Sequence, residues 1–214
     1  MNLKGTRKMK YQAFKRFLDF LLSLFALCAL GPLLAVVALS VKLDSKGPVL
    51  FKQKRVGKDR ELFEMLKFRT MKTETPKDMP THLLERPDAY ITKVGSFLRK
   101  TSLDELPQLV NIIKGEMAVV GPRPALWNQF DLVEEREKYG ANSVRPGLTG
   151  WAQVNGRDEL EIPVKAKFDG EYVEKMSFFF DLKCILKTVS GVLFEKGVVE
   201  GGTGALKAGE EEKI

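Results

Sequence analysis

The sequence predicts a mixed α/β, mainly helical fold: an N-terminal re-entrant membrane helix broken at Gly31-Pro32, amphipathic interfacial helices, and a small globular domain with short strands. Three observations predict it. Phe20 to Val41 is an apolar run of 22 residues without a charge, and Gly31-Pro32 stands at its middle. Basic residues bracket that run on both sides. Beyond it, short alternating segments and capped amphipathic stretches follow one another in a chain of 214 residues, enough to bury one core.

As a helix the run reaches roughly 33 Å at about 1.5 Å per residue, against about 30 Å for a hydrocarbon core. A single crossing is the first reading. A cleaved signal peptide is another, but its apolar region should be only about 7 to 15 residues. Pro32 removes a backbone donor and clashes with the preceding turn, so a kink or break is expected. Each half then covers about 15 to 18 Å, about half the core thickness. Residues 1 to 16 carry Lys4, Arg7, Lys8, Lys10, Lys15 and Arg16 without an acid, for +6; residues 42 to 72 carry ten bases against four acids, again +6. Cations gather on the cytoplasmic side of membrane segments. A crossing would expel one of these flanks, whereas a helix-break-helix that enters and leaves one leaflet keeps both inside, facing anionic lipid. The hairpin is favoured, with a Pro-kinked spanning helix as the alternative.

The later elements follow in order. Val49 to Lys54 and Leu62 to Met71 alternate as short strands around turn signals at Gly57 and Lys58-Asp59. Thr75 to Asp88, with three prolines, reads as a loop. Ser102 to Lys114 reads as a helix with Ser102-Leu103-Asp104-Glu105 as a capping box and Gly115 as its stop. Leu126 to Tyr139 reads as a second helix ending at Gly140. Phe178 to Phe194 is amphipathic, with Phe179, Leu182, Ile185, Leu186, Val189 and Leu193 on one face. Facing a core is the common fate of such a stripe, although Phe178-Phe179-Phe180 also suits a membrane interface. Gly197 to Ile214 holds five glycines and Glu210-Glu211-Glu212 and reads as a poorly ordered tail. The division is therefore 1 to 45, basic flank and membrane helix; 46 to 196, globular domain; and 197 to 214, tail.

Composition excludes several functions. Hydrophobic residues at 44% and charged ones at 29% rule out a disordered chain and a polytopic membrane protein. Cys28 and Cys184, both among apolar neighbours, read as buried thiols rather than a disulfide framework. His82 is the only histidine, which excludes His-rich zinc sites and Ser/His/Asp or Cys/His triads. The net charge of +7 is no nucleic-acid footprint, because residues 73 to 214 carry 19 bases against 23 acids.

Chemistry is confined to a few residues. Lys67 and Arg69 share one face of a strand, a pair that is either a solvated edge or a phosphate contact. Arg99 and Lys100 precede Asp104-Glu105, and Arg123 is held between prolines in Gly121-Pro122-Arg123-Pro124, where a fixed backbone aims its guanidinium. Asp104 and Glu105 in a first helical turn would stabilise the helix dipole by about 0.3 to 1 kcal/mol. The chemical reading is that backbone amides and nearby arginines keep Asp104 ionised and nucleophilic while Glu105 offers oxygens to Mg²⁺. Arg145-Pro146-Gly147-Leu148-Thr149-Gly150-Trp151 and Asn155-Gly156-Arg157 are turn-rich and match neither a Walker nor a Rossmann glycine pattern.

The succession of a cationic start, a proline-broken apolar run and five further motifs resembles the small monotopic phosphoglycosyl transferases of the bacterial sugar transferase family, over about residues 11 to 196. The five are Lys67-Phe68-Arg69-Thr70-Met71, Arg99 to Gln108, Val120-Gly121-Pro122-Arg123-Pro124, Arg145 to Gly150, and Asp169-Gly170-Glu171-Tyr172-Val173, with the Asp104-Glu105 pair inside the second. Some members carry Ser-Pro at the break, where this chain has Gly31-Pro32. The resemblance implies an enzyme at the cytoplasmic face of the bacterial inner membrane that moves a phosphosugar from a UDP-sugar to polyprenyl (undecaprenyl) phosphate through a covalent intermediate on Asp104, releasing UMP. It implies Mg²⁺ on Glu105, phosphate charge balanced by Lys67, Arg99 and Arg123, and a polar-site role for Asp169, with Arg69 and Arg145 as further substrate-binding residues. Membrane lipid is a further partner, nucleic acid is none, and a homodimer is left open. A membrane-tethered interaction module without catalysis is the alternative. The sugar is not legible, since a few pocket contacts decide it.

The hairpin makes a direct prediction. In a Cys28→Ser background, Lys10→Cys and Lys46→Cys should both resist a membrane-impermeant thiol reagent applied to intact cells. Labelling of either from outside excludes the hairpin.

Overall fold

A computed structural model describes residues 3 to 75, 87 to 156 and 160 to 194, with side chains for 11 to 75, 89 to 156 and 160 to 191. Helix α1 runs from Leu3 to Ala29 and α2 from Gly31 to Asp44, and the two are bent by 65°. The bend falls at Leu30, one residue before the expected dipeptide. Leu30 N still donates to Ala26 O and Leu34 N to Leu30 O, and Pro32 sits in the first turn of α2, where its missing N–H is no loss. No single helix among the described residues is long and apolar enough to cross a membrane; this bent pair together is.

Strands β1 (Leu50–Val56) and β2 (Leu62–Phe68) form an antiparallel hairpin with Leu50 opposite Phe68 and Val56 opposite Leu62. Short helix α3 (Pro87–Tyr90) leads to α4 (Lys93–Thr101), a 3-10 turn at Leu103–Glu105, and α5 (Gln108–Lys114). Strand β3 (Ala118–Val120) pairs in parallel with β4 (Gly147–Thr149), the crossover carrying α6 (Phe130–Glu137). Helices α7 (Ile162–Lys175) and α8 (Phe178–Phe194) complete the described chain. Asn111, fully buried on α5, stitches the helix to the hairpin: its Oδ1 accepts from Leu66 N at 3.0 Å and its Nδ2 donates to Glu64 O at 2.8 Å.

Several expectations need correction. The helix expected from Ser102 begins only at Gln108, and no capping box forms. Ser102, at φ 55°, instead closes α4 in the left-handed region, its N–H returning to Arg99 O. Pro107 marks the real start of α5, because a residue without an N–H fits where helical donors are unpaired anyway. Gly115 does stop α5, at φ 91°. The helix expected from Leu126 begins at Phe130, and β2 ends at Phe68 rather than Met71. Cys28 is exposed while Cys184 is buried. Of the loop expected over Thr75 to Asp88, residues 76 to 86 lie outside the described residues, as do His82, Arg157 and the tail.

Helix α8 takes the second of the two orientations open to its stripe. Phe179, Leu182, Leu186 and Val189 point outward, 41 to 79% exposed, and the buried face carries Asp181 and Cys184. Helix α1 is inverted in the same way: Phe14, Phe17, Leu21 and Phe25 are exposed, whereas Lys15, Asp19 and Ser23 are buried. The two polar faces meet. Lys15 Nζ lies 2.7 Å from Asp181 Oδ2 and 3.4 Å from Asp19 Oδ2. Tyr11 Oη donates to Asp181 Oδ2 at 2.8 Å, and Tyr172 Oη lies 2.9 Å from both Asp181 Oδ1 and Val120 O.

Helix α2 joins the body through Val37 and Val41, which pack with Phe68 of β2 and Leu98 of α4, Leu103 lying against the same cluster. Its C-terminal end is closed by Arg69. That buried guanidinium makes five hydrogen bonds, to the carbonyls of Val41, Ser45, Lys46 and Pro48 and to Ser45 Oγ. Arg69→Leu should therefore lower stability by about 3 to 5 kcal/mol, since it strands buried acceptors as well as losing charged hydrogen bonds. The midpoint of denaturant unfolding of the purified protein in detergent measures it; a loss below about 1 kcal/mol would mean the carbonyls find other donors.

Candidate active site

The site is built around one tight turn. Thr92 Oγ1 caps the start of α4 by accepting from Gly95 N at 3.0 Å. Gly95 is required there because a Cβ would fall 2.0 Å from Thr70 O. This close approach lays α4 on the segment that follows β2, and Arg99 in the next turn donates from Nε to Thr70 Oγ1 at 3.0 Å and contacts Met71 Sδ at 3.1 Å. Left-handed Ser102 then reverses the chain into the 3-10 turn, which carries Leu103 onto the α2 cluster and buries Asp104 to 4% exposure.

Glu105, next along the turn, collects two cations. Lys67 Nζ donates to its Oε1 at 2.7 Å and Arg123 Nη2 to the same oxygen at 3.2 Å. Lys67 comes from β2, whereas Arg123 comes from the loop after β3. That loop is fixed by crossed backbone bonds, Gly121 N to Thr149 O and Gly147 N to Pro122 O, each 2.8 Å. The glycines are obligatory: a Cβ on Gly147 would stand 2.1 Å from Gly121 N. Burial alone would push the Glu105 carboxyl up; the Lys67 ammonium and Arg123 guanidinium overcome it and hold the group well below the usual carboxylate range.

Among the described residues no group of three metal-binding side chains occurs. That composition still fits Mg²⁺, which characteristically takes one or two carboxylates and completes its shell with water and substrate phosphates. Glu105 fits such a role through Oε2, since both cations occupy Oε1 and the side chain keeps 16% exposure.

The turn thus brings together Lys67, Asp104, Glu105 and Arg123, with Arg99 at the end of the helix leading into it. Three other residues expected at the site stand elsewhere. Arg69 serves the end of α2. Arg145 donates from Nε to Gly115 O at 2.7 Å, a carbonyl that precedes β3, whereas Arg123 follows that strand. Asp169 is 1% exposed and paired with Arg136, tying α7 to α6; burial pushes its carboxyl up against the pull of that guanidinium. Sequence reasoning missed Gln108, 1% exposed and four residues after Asp104, whose Nε2 has no hydrogen-bond partner among the described residues. Its place directly after Pro107 at the start of α5 was the available signal.

Comparison with known proteins adds a separate line. The profile described as bacterial sugar transferase matches residues 10 to 195. The chain is 42% identical over 193 residues to the undecaprenyl-phosphate glucose phosphotransferase of Komagataeibacter xylinus, covering 85% of this chain and 36% of that protein. It is 41% identical over 185 residues to the uncharacterized sugar transferase EpsL of Bacillus subtilis, covering 86% and 89%. It is 42% identical over 182 residues to the UDP-glucose:undecaprenyl-phosphate glucose-1-phosphate transferase of Escherichia coli, covering 82% and 39%. The chain therefore spans well under half of two of these relatives and most of the third.

The charge arrangement sets a pH prediction. A carboxyl depressed in the fold adds stability that is present above the ordinary value of 4.5 and is lost as pH falls toward its lower native value. Lys67→Met leaves Glu105 with Arg123 alone and raises that native value. The variant should be less stable at about pH 7, and its stability should decline less between about pH 6 and pH 3 than that of the wild type. Unfolding midpoints across that range test it; parallel curves would remove Lys67 from the control of Glu105.

Proposed function

The chain belongs to the bacterial sugar transferase family, and from that premise we propose that it transfers a phosphosugar from a UDP-sugar to polyprenyl phosphate, releasing UMP. The observation that carries the reading is the turn at Leu103–Glu105, where a buried carboxylate adjoins a second one that holds two phosphate-competent cations. The names of the Komagataeibacter and Escherichia relatives agree with it and make UDP-glucose the first donor to try.

In the proposed reaction an Asp104 carboxylate oxygen attacks the sugar-bearing phosphorus. The bond to the UMP oxygen breaks, and UMP leaves with the electron pair. A phosphate oxygen of the polyprenyl acceptor then attacks the same phosphorus and displaces the Asp104 carboxylate, giving polyprenyl-diphospho-sugar. Lys67 and Arg123 bind donor phosphate oxygens, and Arg99 adds positive charge at the end of α4. Mg²⁺, when bound, neutralises diphosphate charge, and Glu105 is the side chain that would hold it.

The acceptor is a lipid, so the turn has to stand near headgroups. The α1–α2 pair would enter and leave one leaflet, with the outward apolar faces of α1 and α8 in contact with lipid. The +6 flanks would keep the whole assembly on the cytoplasmic side. A division of labour follows: the hairpin sets depth, and the Leu103 contact transmits it to Asp104.

Asp104→Asn keeps the shape of the side chain and removes the nucleophile, so the fold should persist while transfer falls by orders of magnitude. Wild type mixed with the correct UDP-sugar and Mg²⁺, without acceptor, should exchange labelled UMP into the donor and gain the mass of one phosphosugar. Activity on addition of polyprenyl phosphate with neither exchange nor adduct would replace the covalent route by direct attack of the acceptor. EDTA should inhibit, and a chelator-insensitive enzyme would end the metal role.

A further inference from the structure

A second basic pocket lies apart from the acidic turn. It measures about 380 Å³, counting the solvent in its open mouth, and lies between α1, β3 and the segment leading into β4. Gln12, Lys15, Arg16, Lys58 and Arg145 line it, with Tyr172 among its apolar walls. Lys58 lies in the turn of the β1–β2 hairpin, beside the Val56–Leu62 pair, whereas Lys67, which holds Glu105, stands opposite Phe51 near the other end of the hairpin. The pocket therefore reaches the turn end of the hairpin, and the acidic turn lies toward its other end.

The pocket has more positive charge than its own groups answer. Asp19 is the one carboxylate in its wall, and Lys15 already holds it together with Asp181. Arg16 has no carboxylate partner: Nη1 and Nη2 donate to the carbonyls of Ile112 and Ile113 at the end of α5, at 2.5 and 2.7 Å. Arg145 uses only Nε, on Gly115 O, so its terminal nitrogens and the Gln12 amide have no partner among the described residues. Lys58 at the rim has only exposed Asp59, at 3.3 Å. Burial first and the neighbouring Arg145 second pull the Arg16 guanidinium below its ordinary value, against the opposing pull of Asp19. Carbonyl caps account for where these arginines are anchored. They leave the outward fork of Arg145, the geometry suited to a phosphate, unexplained.

We propose that this pocket is a phosphate-binding site distinct from the acidic turn, with Arg145 and Gln12 as its direct donors and Arg16, Lys15 and Lys58 as its field. The ligand chemistry is a phosphate mono- or diester. It comes either from a lipid headgroup beside α1, whose opposite face exposes Phe14 and Phe17, or from a free phosphorylated solute. The inference stands on this pocket's residues and does not depend on the reaction proposed for Asp104.

Calorimetric titration of the full-length protein in detergent with inorganic phosphate forms one arm. Flotation with vesicles of phosphatidylcholine, alone or with phosphatidic acid, forms the other. Lys67 and Arg123 also attract phosphate, so the reading is the difference between wild type and variants of this pocket alone. Gln12→Glu adds a negative charge without touching the α5 carbonyls, and Arg145→Gln removes the fork. Both should weaken binding at least about fivefold, as expected when a charged hydrogen-bond donor is lost or opposed. Weakening in the phosphate titration identifies a free solute, whereas loss of only the phosphatidic acid preference identifies a headgroup. Should Arg145→Gln not fold, Gln12→Glu decides alone. Wild-type binding in both arms that Gln12→Glu leaves unchanged, or no binding in either arm, overturns the site.

Discussion

Placement of the acidic turn depends on how the end of α2 is closed. The last carbonyls of any helix need donors from outside it, and a buried end without them is costly. Here one guanidinium supplies them, reaching Val41, Ser45, Lys46 and Pro48 from the residue after β2. Asp44 adds the reciprocal contact by accepting from Val94 N in the first turn of α4, at 3.1 Å. The end of α2, the end of β2 and the start of α4 are thereby fixed to one another within a few residues. Leu103 lies on the apolar cluster those elements enclose, so neither Asp104 nor Glu105 can shift relative to α2 without breaking that packing.

The ionic seam between α1 and α8 answers a different problem. Helices whose apolar faces turn outward have little hydrophobic area left to hold them together. Buried polar groups can supply specificity instead, although desolvation offsets much of what the attraction gains. Lys15 between Asp19 and Asp181, with two tyrosine hydroxyls on Asp181, satisfies each member and fixes one register of α8 against α1. Cys184, one turn from Asp181, is fully buried in this setting, and burial first and the carboxylate second push its thiol up to about 11. It packs as a neutral group.

How much of this was legible in the sequence follows from what each signal measures. The proline break, the hairpin strands, the Gly115 stop and the span of α8 rest on local geometry, and the structure has them within a few residues. The acidic pair and its cations Lys67 and Arg123 were legible because few other groups could serve them. Local patterns failed where long-range contacts decide. Ser102 matches a cap by composition, but packing of Leu98 and Leu103 on α2 makes it the left-handed end of the preceding helix. Arg69 and Asp169 look like binding residues because charge is conspicuous, yet each meets a partner from 28 or more residues away: Val41 and Arg136 respectively. The stripe on α8 was legible as a stripe. Its direction was not, because hydrophobic periodicity measures asymmetry and leaves the identity of the apolar medium open.

At the acidic turn, two cations on a single oxygen of Glu105 make sense as a resting arrangement for the proposed donor. Assembling buried cations only when a diphosphate arrives would leave them unpaired in the free protein, which is costly where solvent is scarce. With Glu105 in place, folding has already removed part of the solvent from Lys67 and Arg123, whose side chains keep 14 and 29% exposure. The proposed diphosphate would exchange one anion for another, and the carboxylate it displaced would be released where its charge could serve the proposed Mg²⁺. The exchange needs the two cations to reach both anions, and their origins allow it. Lys67 is a long flexible side chain on a strand. Arg123 is a planar fork on a loop pinned by crossed backbone bonds, so one partner can follow the phosphate while the other defines its position.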